Sequence, residues 1–233
     1  MSSGNADFCF PIKRLENSRV ILEPFNDKHV ASFVQGCKDH PALFDYLPFG
    51  PFSTTAEFKT WYRGRVERNP TETIFAIFAK SPAPDSVEQQ TLAGTIGLLN
   101  ASPSNASVEI GFIIVLPSFQ RTFVTSNAVG LLLSYTLDLP PEGLGLRRSQ
   151  WQTHASNEAS RRVATRMGFS FEGIQRFQRA FPAHKQGNGF DLSRLPESTG
   201  IKLGQARDTA IFAHYCDEWP AKRAEVLRLM EPR

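Results

Sequence analysis

An apolar run, VEIGFIIVLP (Val108–Pro117), is followed by a polar turn, QRTFVTSNA (Gln120–Ala128), and then by a helical pattern, AVGLLLSYTL (Ala128–Leu137). Strand, short turn and helix in that order bring unpaired backbone N–H groups to one point. The helix dipole favours negative charge there. Turns of this kind usually carry glycines, which let the backbone approach an anion closely. None stands between Gln120 and Ala128. The residues alone leave two readings open, an anion cradle built without glycines or a plain turn.

The rest of the chain supplies partners for that strand and helix. Arg19–Phe25 reads as a first strand, ended by Pro24. Asp27 is placed as the N-cap of a helix that puts Val30, Phe33, Val34 and Cys37 on one face. Thr55–Arg68 reads as a second helix, with Phe58, Trp61, Tyr62 and Val66 at helical spacing. Thr73–Lys80 has the composition of a buried strand. TLAGTIGLLN and SVEIGFIIV form an antiparallel pair around ASPSNA. Arg147–His154 reads as a further strand, and Asn157–Met167 as a helix stopped by the C-cap glycine Gly168. FSFEGIQRFQRAF and DTAIFAHY close the pattern as a strand pair. Their connection, about residues 182–207, is long and polar and therefore a candidate functional loop. The mixed order gives one α+β domain without an evident linker.

Composition narrows the function classes. A net charge of +3 with scattered Lys and Arg gives no support to nucleic-acid or membrane binding. No stretch approaches the roughly 18 apolar residues of a membrane span. The N-terminal MSSGNADFCFPIKR has neither a signal-peptide core nor an Arg-rich amphipathic pattern, so a cytoplasmic protein is expected. Three distant cysteines, Cys9, Cys37 and Cys216, fit a reducing compartment. The five histidines show no ligand spacing with each other or with cysteine, so no metal is expected. A serine-hydrolase elbow and a nucleotide-triphosphate loop are both missing. Nineteen Phe against four Tyr point to a phenylalanine-rich core, with room for an aromatic-lined pocket.

Two segments remain as carriers of chemistry. Glu109 stands within an otherwise apolar strand, and strict alternation puts it on one face with Gly111, Ile113 and Val115. It is either solvated or paired with an Arg, or else buried. A buried carboxylate has its pKa raised toward neutrality, which suits a base that takes a proton from an ammonium. Asn157 and Ser160, at the start of the later helix, either cap it or face a ligand.

Taken in order, VEIGFIIV, QRTFVTSNA, NEASRRVATRMGFSFEG and DTAIFAHYCDEWP resemble the GNAT superfamily of acyl-CoA-dependent N-acyltransferases. The nearer resemblance is to its ribosomal-protein N-acetyltransferase-like (RimJ/RimL-type) branch. The most specific piece is N-x-x-S-x-R-x-x-x-x-x-GF-x-x-EG, from Asn157 to Gly173. The resemblance implies a GNAT domain over residues 15–220, between an N-terminal extension (1–14) and a C-terminal tail (221–233). Its fold would be a mostly antiparallel central sheet, splayed between strands 4 and 5 and flanked by helices.

It further implies acetyl-CoA as cosubstrate and an N-acetyltransferase. The pantetheine arm would pair with the backbone of Phe112, Ile113, Ile114 and Val115. The pyrophosphate would sit in the loop of Gln120, Arg121 and Thr122, on the N–H groups of Phe123, Val124, Thr125, Ser126 and Asn127. Relatives usually have glycines where this chain has Phe123 and Thr125, so Phe123→Gly is expected to keep or improve cofactor affinity. Glu109 matches a glutamate that acts as base in some relatives. The tyrosine that many relatives use to protonate the leaving thiolate is replaced by Ala164, which leaves Ser160 as substitute and Asn157 to orient the pantetheine. The acceptor side would be lined by residues 40–53, with Phe44, Tyr46 and Phe49, by Trp61 and Glu109, and by the 182–207 loop. The expected acceptor is the primary amine of a small metabolite or xenobiotic, the alternatives being a protein N-terminus or a CoA-binding module without catalysis. A monomer or homodimer is expected.

Overall fold

The structure is a computed structural model that describes residues 7–80, 90–194 and 204–232. Its centre is an eight-stranded sheet in the order β1-β2-β3-β4-β5-β6-β8-β7. The strands are β1 (Leu15–Glu16), β2 (Val20–Pro24), β3 (Thr73–Lys80), β4 (Gln90–Ser102), β5 (Ser107–Val115), β6 (Arg148–His154), β7 (Ser170–Ala180) and β8 (Ala206–Tyr215). All neighbours pair antiparallel except β5 and β6, which run parallel. The two-residue β1 shifts the count by one, so the expected splay between strands 4 and 5 falls between β5 and β6.

Helices cover both faces. The first turn of α1 (Asp27–Cys37) is capped by Asn26, not by Asp27 as expected. Asn26 Oδ1 accepts from the Lys28 N–H at 3.1 Å, and the Asn26 N–H donates to His29 Nδ1 at 3.0 Å. That reciprocal box satisfies two orphan donors, which Asp27, one residue inside the helix, is not placed to do. Helix α2 (Thr55–Tyr62) is shorter than the expected Thr55–Arg68, because the chain widens into a π turn over Arg63–Glu67. These two helices and the inner face of the sheet form an aromatic cluster around Phe25, Phe33, Phe44, Phe58 and Tyr62. On the other face, α3 (Val124–Leu137), α4 (Glu158–Arg166) and α5 (Trp219–Arg228) join a second cluster that includes Val108, Ile110, Leu132, Trp151, Ala164 and Val226.

Both ends of the chain contribute to this second cluster. Phe8 is buried in it, and Tyr135 donates its hydroxyl proton to the Pro11 carbonyl. Trp219, Val226 and Met230 pack from the other end. Phe8, in the segment expected to be an extension, and Val226 and Met230, in the one expected to be a tail, therefore pack into the core. Among the described residues no helix is long and apolar enough to cross a membrane, and no group of three His, Cys, Asp or Glu is placed to hold a metal.

Close packing of β3 against β4 depends on Gly97. A Cβ there would lie 2.3 Å from the Thr73 carbonyl oxygen, a backbone atom with nowhere to move. Gly97→Ala is expected to cost about 1–3 kcal/mol, the range for overpacking. Thermal unfolding should show a Tm several degrees lower, whereas Gly64→Ala, with open space around it, should not lower Tm.

Candidate active site

The site begins where strict alternation fails. Phe112 has a φ of +51°, and the β4–β5 register skips there, from Gly97 opposite Gly111 to Thr95 opposite Ile114. The extra residue is a β-bulge. Its freed carbonyl accepts from Thr95 Oγ1 at 3.0 Å. The bulge reverses the faces. Val108, Ile110, Ile113 and Val115 face the α3 cluster, while Phe112 and Ile114 face the aromatic one. Glu109 and Gly111 therefore lie on the face opposite Ile113 and Val115, a correction to the period-two reading.

Pairing between β5 and β6 covers only Ser107–Arg148, Val108–Ser149 and Glu109–Gln150. Beyond Glu109 the β5 edge has no strand beside it, and this is the splay. Glu109 stands at its apex, 6% exposed. Burial raises its pKa to about 7 against three lowering influences, the hydrogen bond from Asn100 and the charges of Arg207 and Arg179. Glu72 adds a smaller upward push. Asn100 Nδ2 donates to Glu109 Oε2 at 2.7 Å. A carboxylate with this affinity for protons can hold or release one at neutral pH.

On the α3 face, QRTFVTSNA opens onto a cleft of about 1440 Å³ between the starts of α3 and α4. The turn does without glycines by two devices. Arg121 itself adopts the left-handed conformation, with φ +60°, and Phe123 enters the helix with φ −67° and ψ −18°. Thr122 Oγ1 donates to the Phe119 carbonyl at 2.7 Å and accepts from the Val124 N–H at 3.3 Å. Asn127 takes no part in the cleft. It is fully buried, its N–H and Nδ2 both bond the Phe123 carbonyl, and Asn17 Nδ2 donates to its Oδ1 at 2.7 Å. The cradle is thus confined to the turn and the first three helical residues. Arg19, Arg121, Arg161, Arg162 and Arg166 line the cleft, and the Arg19 guanidinium lies 4.0 Å from the centre of the Phe123 ring.

Asn157 caps α4, its Oδ1 accepting from the Ser160 N–H at 3.0 Å. Ser160 Oγ accepts from Trp151 Nε1 at 3.0 Å. That bond uses an oxygen lone pair and leaves the hydroxyl proton available to donate.

Opposite the cleft, the loop after α1 folds against Glu109's side of the sheet. Phe49 stacks on Trp61 with ring centres 4.4 Å apart, and both rings meet Phe112 at 5.8 Å. Phe44 lies deeper, in the core beneath Phe49 and Phe52. Tyr46 is exposed and reaches the His154 ring at 5.3 Å. Three residues that the sequence reading passed over also meet here. Lys185, in the β7–β8 connection, is buried and donates to the carbonyls of Phe44, Leu47 and Phe49 at 2.6, 2.7 and 2.6 Å. His154 and Arg207 are buried on the same side. The stretch 195–203 of the expected 182–207 loop lies outside the described residues.

Residues 19–170 match the acetyltransferase (GNAT) domain family. The chain belongs to that family, one of acyltransferases. The uncharacterized N-acetyltransferase YoaA of Bacillus subtilis (strain 168) is 33% identical over 89 residues, which are 38% of this chain and 48% of YoaA. The match therefore spans about half the length of that relative. The crystal structure of a GCN5-related N-acetyltransferase from Brucella melitensis superposes with a TM-score of 0.74 at 29% identity, over 96% of this chain and 88% of the other. Mycobacterium smegmatis RimJ, solved in complex with CoA-disulfide, gives a TM-score of 0.65 at 16% identity and 95% coverage of both chains. At that identity the likeness is one of fold, and in fold the RimJ/RimL-type resemblance holds.

In this GNAT chain, Lys185 ties the β7–β8 connection to the loop at residues 44–49. Lys185→Met keeps the stem and removes the charge and the three donors, which leaves buried carbonyls unpaired at roughly 1–3 kcal/mol apiece when they find no water. Amide exchange should accelerate across residues 41–52, with exchange in α3 unchanged.

Proposed function

We propose that this GNAT chain transfers the acetyl group of acetyl-CoA to the primary amine of a small molecule. The observation that carries the reading is Glu109, a buried carboxylate with a pKa of about 7 at the apex of the splay. The cleft and Glu109 lie on opposite faces of the sheet, and on this reading the unpaired β5 edge beyond Glu109 is the route between them. A thioester bound from the cleft side and threaded along the β5 edge meets an amine held on the aromatic side.

The residues present fit the cosubstrate. The N–H groups of Phe123, Thr125 and Ser126 have no acceptor among the described residues, and five arginines supply positive charge around them. Both features suit a pyrophosphate. Acetyl-CoA supplies the thioester carbonyl. Glu109 takes a proton from the bound ammonium, directly or through a water, and so frees the nitrogen lone pair. As the nitrogen–carbon bond forms and the carbon–sulfur bond breaks, the nitrogen's second surplus proton passes to the departing thiolate, to which the Ser160 hydroxyl donates a hydrogen bond. Holding amine and thioester together supplies much of the acceleration. The clasp at Lys185 closes the acceptor side over aromatic rings, which favours a small, partly apolar amine over a polypeptide chain.

Acetyl transfer to a panel of amines and short peptides, followed by thiol release, tests this reading. Acetyl-CoA binding with no turnover on any acceptor would sink it and leave a CoA-binding module. Glu109→Gln is expected to lower kcat by about 10²- to 10⁴-fold, the usual weight of a general base. The wild-type kcat/KM should rise with pH through about 7. Stability moves the opposite way. The folded pKa lies above the unfolded one, so between about 4.5 and 7 the folded protein holds the extra proton, and stability falls as pH rises through that window. Glu109→Gln should therefore raise Tm at pH 8 while it removes activity.

The Phe123 ring bears on affinity with the sign reversed from the sequence expectation. It is the platform on which Arg19 lies at the cleft, a contact worth about 0.5–1 kcal/mol at an exposed site. Phe123→Gly should weaken acetyl-CoA binding severalfold by calorimetry, and unchanged or tighter binding would remove Arg19 from the site.

A further inference from the structure

Arg207 is a buried cation with no carboxylate in contact among the described residues. It is 5% exposed, at the start of β8. Its Nε donates to Thr209 Oγ1 at 2.9 Å, and one Nη reaches Gln178 Oε1 at 3.5 Å, both neutral partners. Among the described residues no carboxylate lies within ion-pair distance of it. Directly across the β7–β8 ladder stands another cation, Arg179, where like charges oppose each other at a cost. A desolvated guanidinium facing a second one is expensive unless an anion joins them.

His154 repeats the pattern beside it. The ring is 3% exposed. Its Nδ1 accepts from the Ser156 N–H at 3.1 Å, so in the neutral ring the proton sits on Nε2. That Nε2 is buried without a partner. The ring lies between Tyr46 and Phe181, at 5.3 and 5.6 Å, and close enough to Arg207 to feel its charge. A buried N–H donor without an acceptor and a buried guanidinium without an anionic acceptor thus lie on the face that carries Glu109. Glu109 feels Arg207 more strongly than any other charge.

We propose that the acceptor amine carries a carboxylate, and that Arg207 and His154 bind it. The acceptor is then an amino acid with an apolar remainder. Its ammonium faces Glu109, its carboxylate faces Arg207 and the His154 Nε2–H, and its side chain lies toward Phe49, Trp61 and Phe112. The assignment deepens the amine-acetylation reading and rests on it. An uncharged amide in place of the carboxylate, as at the first residue of a polypeptide, leaves the guanidinium unneutralised. The same pair of arginines therefore selects against protein N-termini.

The test compares matched acceptors, L-amino acids from alanine to phenylalanine against their amides, together with 2-phenylethylamine, at saturating acetyl-CoA. The wild type should favour the acids over the amides by about tenfold or more in kcat/KM, the weight of one charge-assisted hydrogen bond. Arg207→Gln should erase that preference through KM for the acids, and the fall in kcat as Glu109 loses the charge that lowers its pKa should be the same for acids and amides. Arg207→Lys should retain part of it, and unaltered acetyl-CoA affinity shows that either variant is folded. Equal or faster turnover of the amides, or an equal loss of kcat/KM on acids and amides in Arg207→Gln, overturns the proposal. If acetyl-CoA binds but no amine is turned over, the amine-acetylation reading fails and the carboxylate site is read by binding. Stabilisation of the CoA-loaded wild type by L-phenylalanine, absent in Arg207→Gln, then supports the site, and its absence from both overturns it.

Discussion

The bulge at Phe112 is the constraint from which the site follows. A regular β5 would put Glu109 and Ile113 on one face and would continue in register with β4. The extra residue sends Glu109 toward α1 and α2 and turns Ile113 and Val115 toward α3. A bulge increases local twist, and the parallel pairing with β6 runs no further than Glu109. The neighbouring sequence accommodates the distortion. Gly94, at φ +149°, leaves room for the Ile114 carbonyl, which a Cβ would approach to 2.0 Å. Thr95 supplies a hydroxyl to the carbonyl that the bulge frees. One local irregularity thus accompanies the end of β5–β6 pairing and sets a titratable carboxylate at that point.

The charges around that carboxylate are set against each other. Burial alone would drive Glu109 further up, and Arg207, Arg179 and Asn100 bring it back toward neutrality, with Glu72 opposing them. Glu72 is itself held in a bidentate pair with Arg65, at 2.8 and 2.9 Å, so its influence on Glu109 is modest. For Arg207, burial comes first and Arg179 second in pulling the guanidinium down to about 10, and Glu109 pulls it up. The two buried groups therefore depend on one another across the splay. Such an arrangement costs folding free energy, and perturbed groups of this kind cluster at functional sites.

Much of this was legible in the sequence because it rests on short-range rules. Apolar runs bounded by turns gave the strands, and the Asn157 cap and the Gly168 stop, at φ +84°, gave α4 its ends. Glu109 stood out because a carboxylate in such a run has few ordinary explanations. What stayed hidden depends on contacts distant in the chain. Nothing in SVEIGFIIV marks Phe112 for a positive φ, since a bulky aromatic is a poor candidate for that conformation. Arg19 reads as an ordinary surface cation until the fold brings it over Phe123. Lys185 is 141 residues from Phe44, and neither residue announces the other. His154 and Arg207 belong to strands that pair through Thr209, so the unpartnered His154 Nε2 beside a guanidinium with only neutral acceptors is visible only in three dimensions. The sequence signal available was weaker but real, a basic residue and a histidine at the ends of otherwise half-buried strands.

Lys185 shows how the acceptor side can be both enclosed and accessible. Its ammonium has three carbonyl acceptors, a full set for its three protons, yet among the described residues no carboxylate touches it. Burial lowers its pKa to about 8, with Asp45 opposing. Carbonyl dipoles compensate a buried charge only in part, so the clasp is strong in geometry and weak in net energy. A contact of that kind fixes the loop at 44–49 when closed but does not make its opening prohibitive. Phe49 and Tyr46 ride on the same loop, one stacked on Trp61 and the other against His154. Opening the clasp would therefore free the stack on Trp61 and the contact with His154 together, and closing it would remake both.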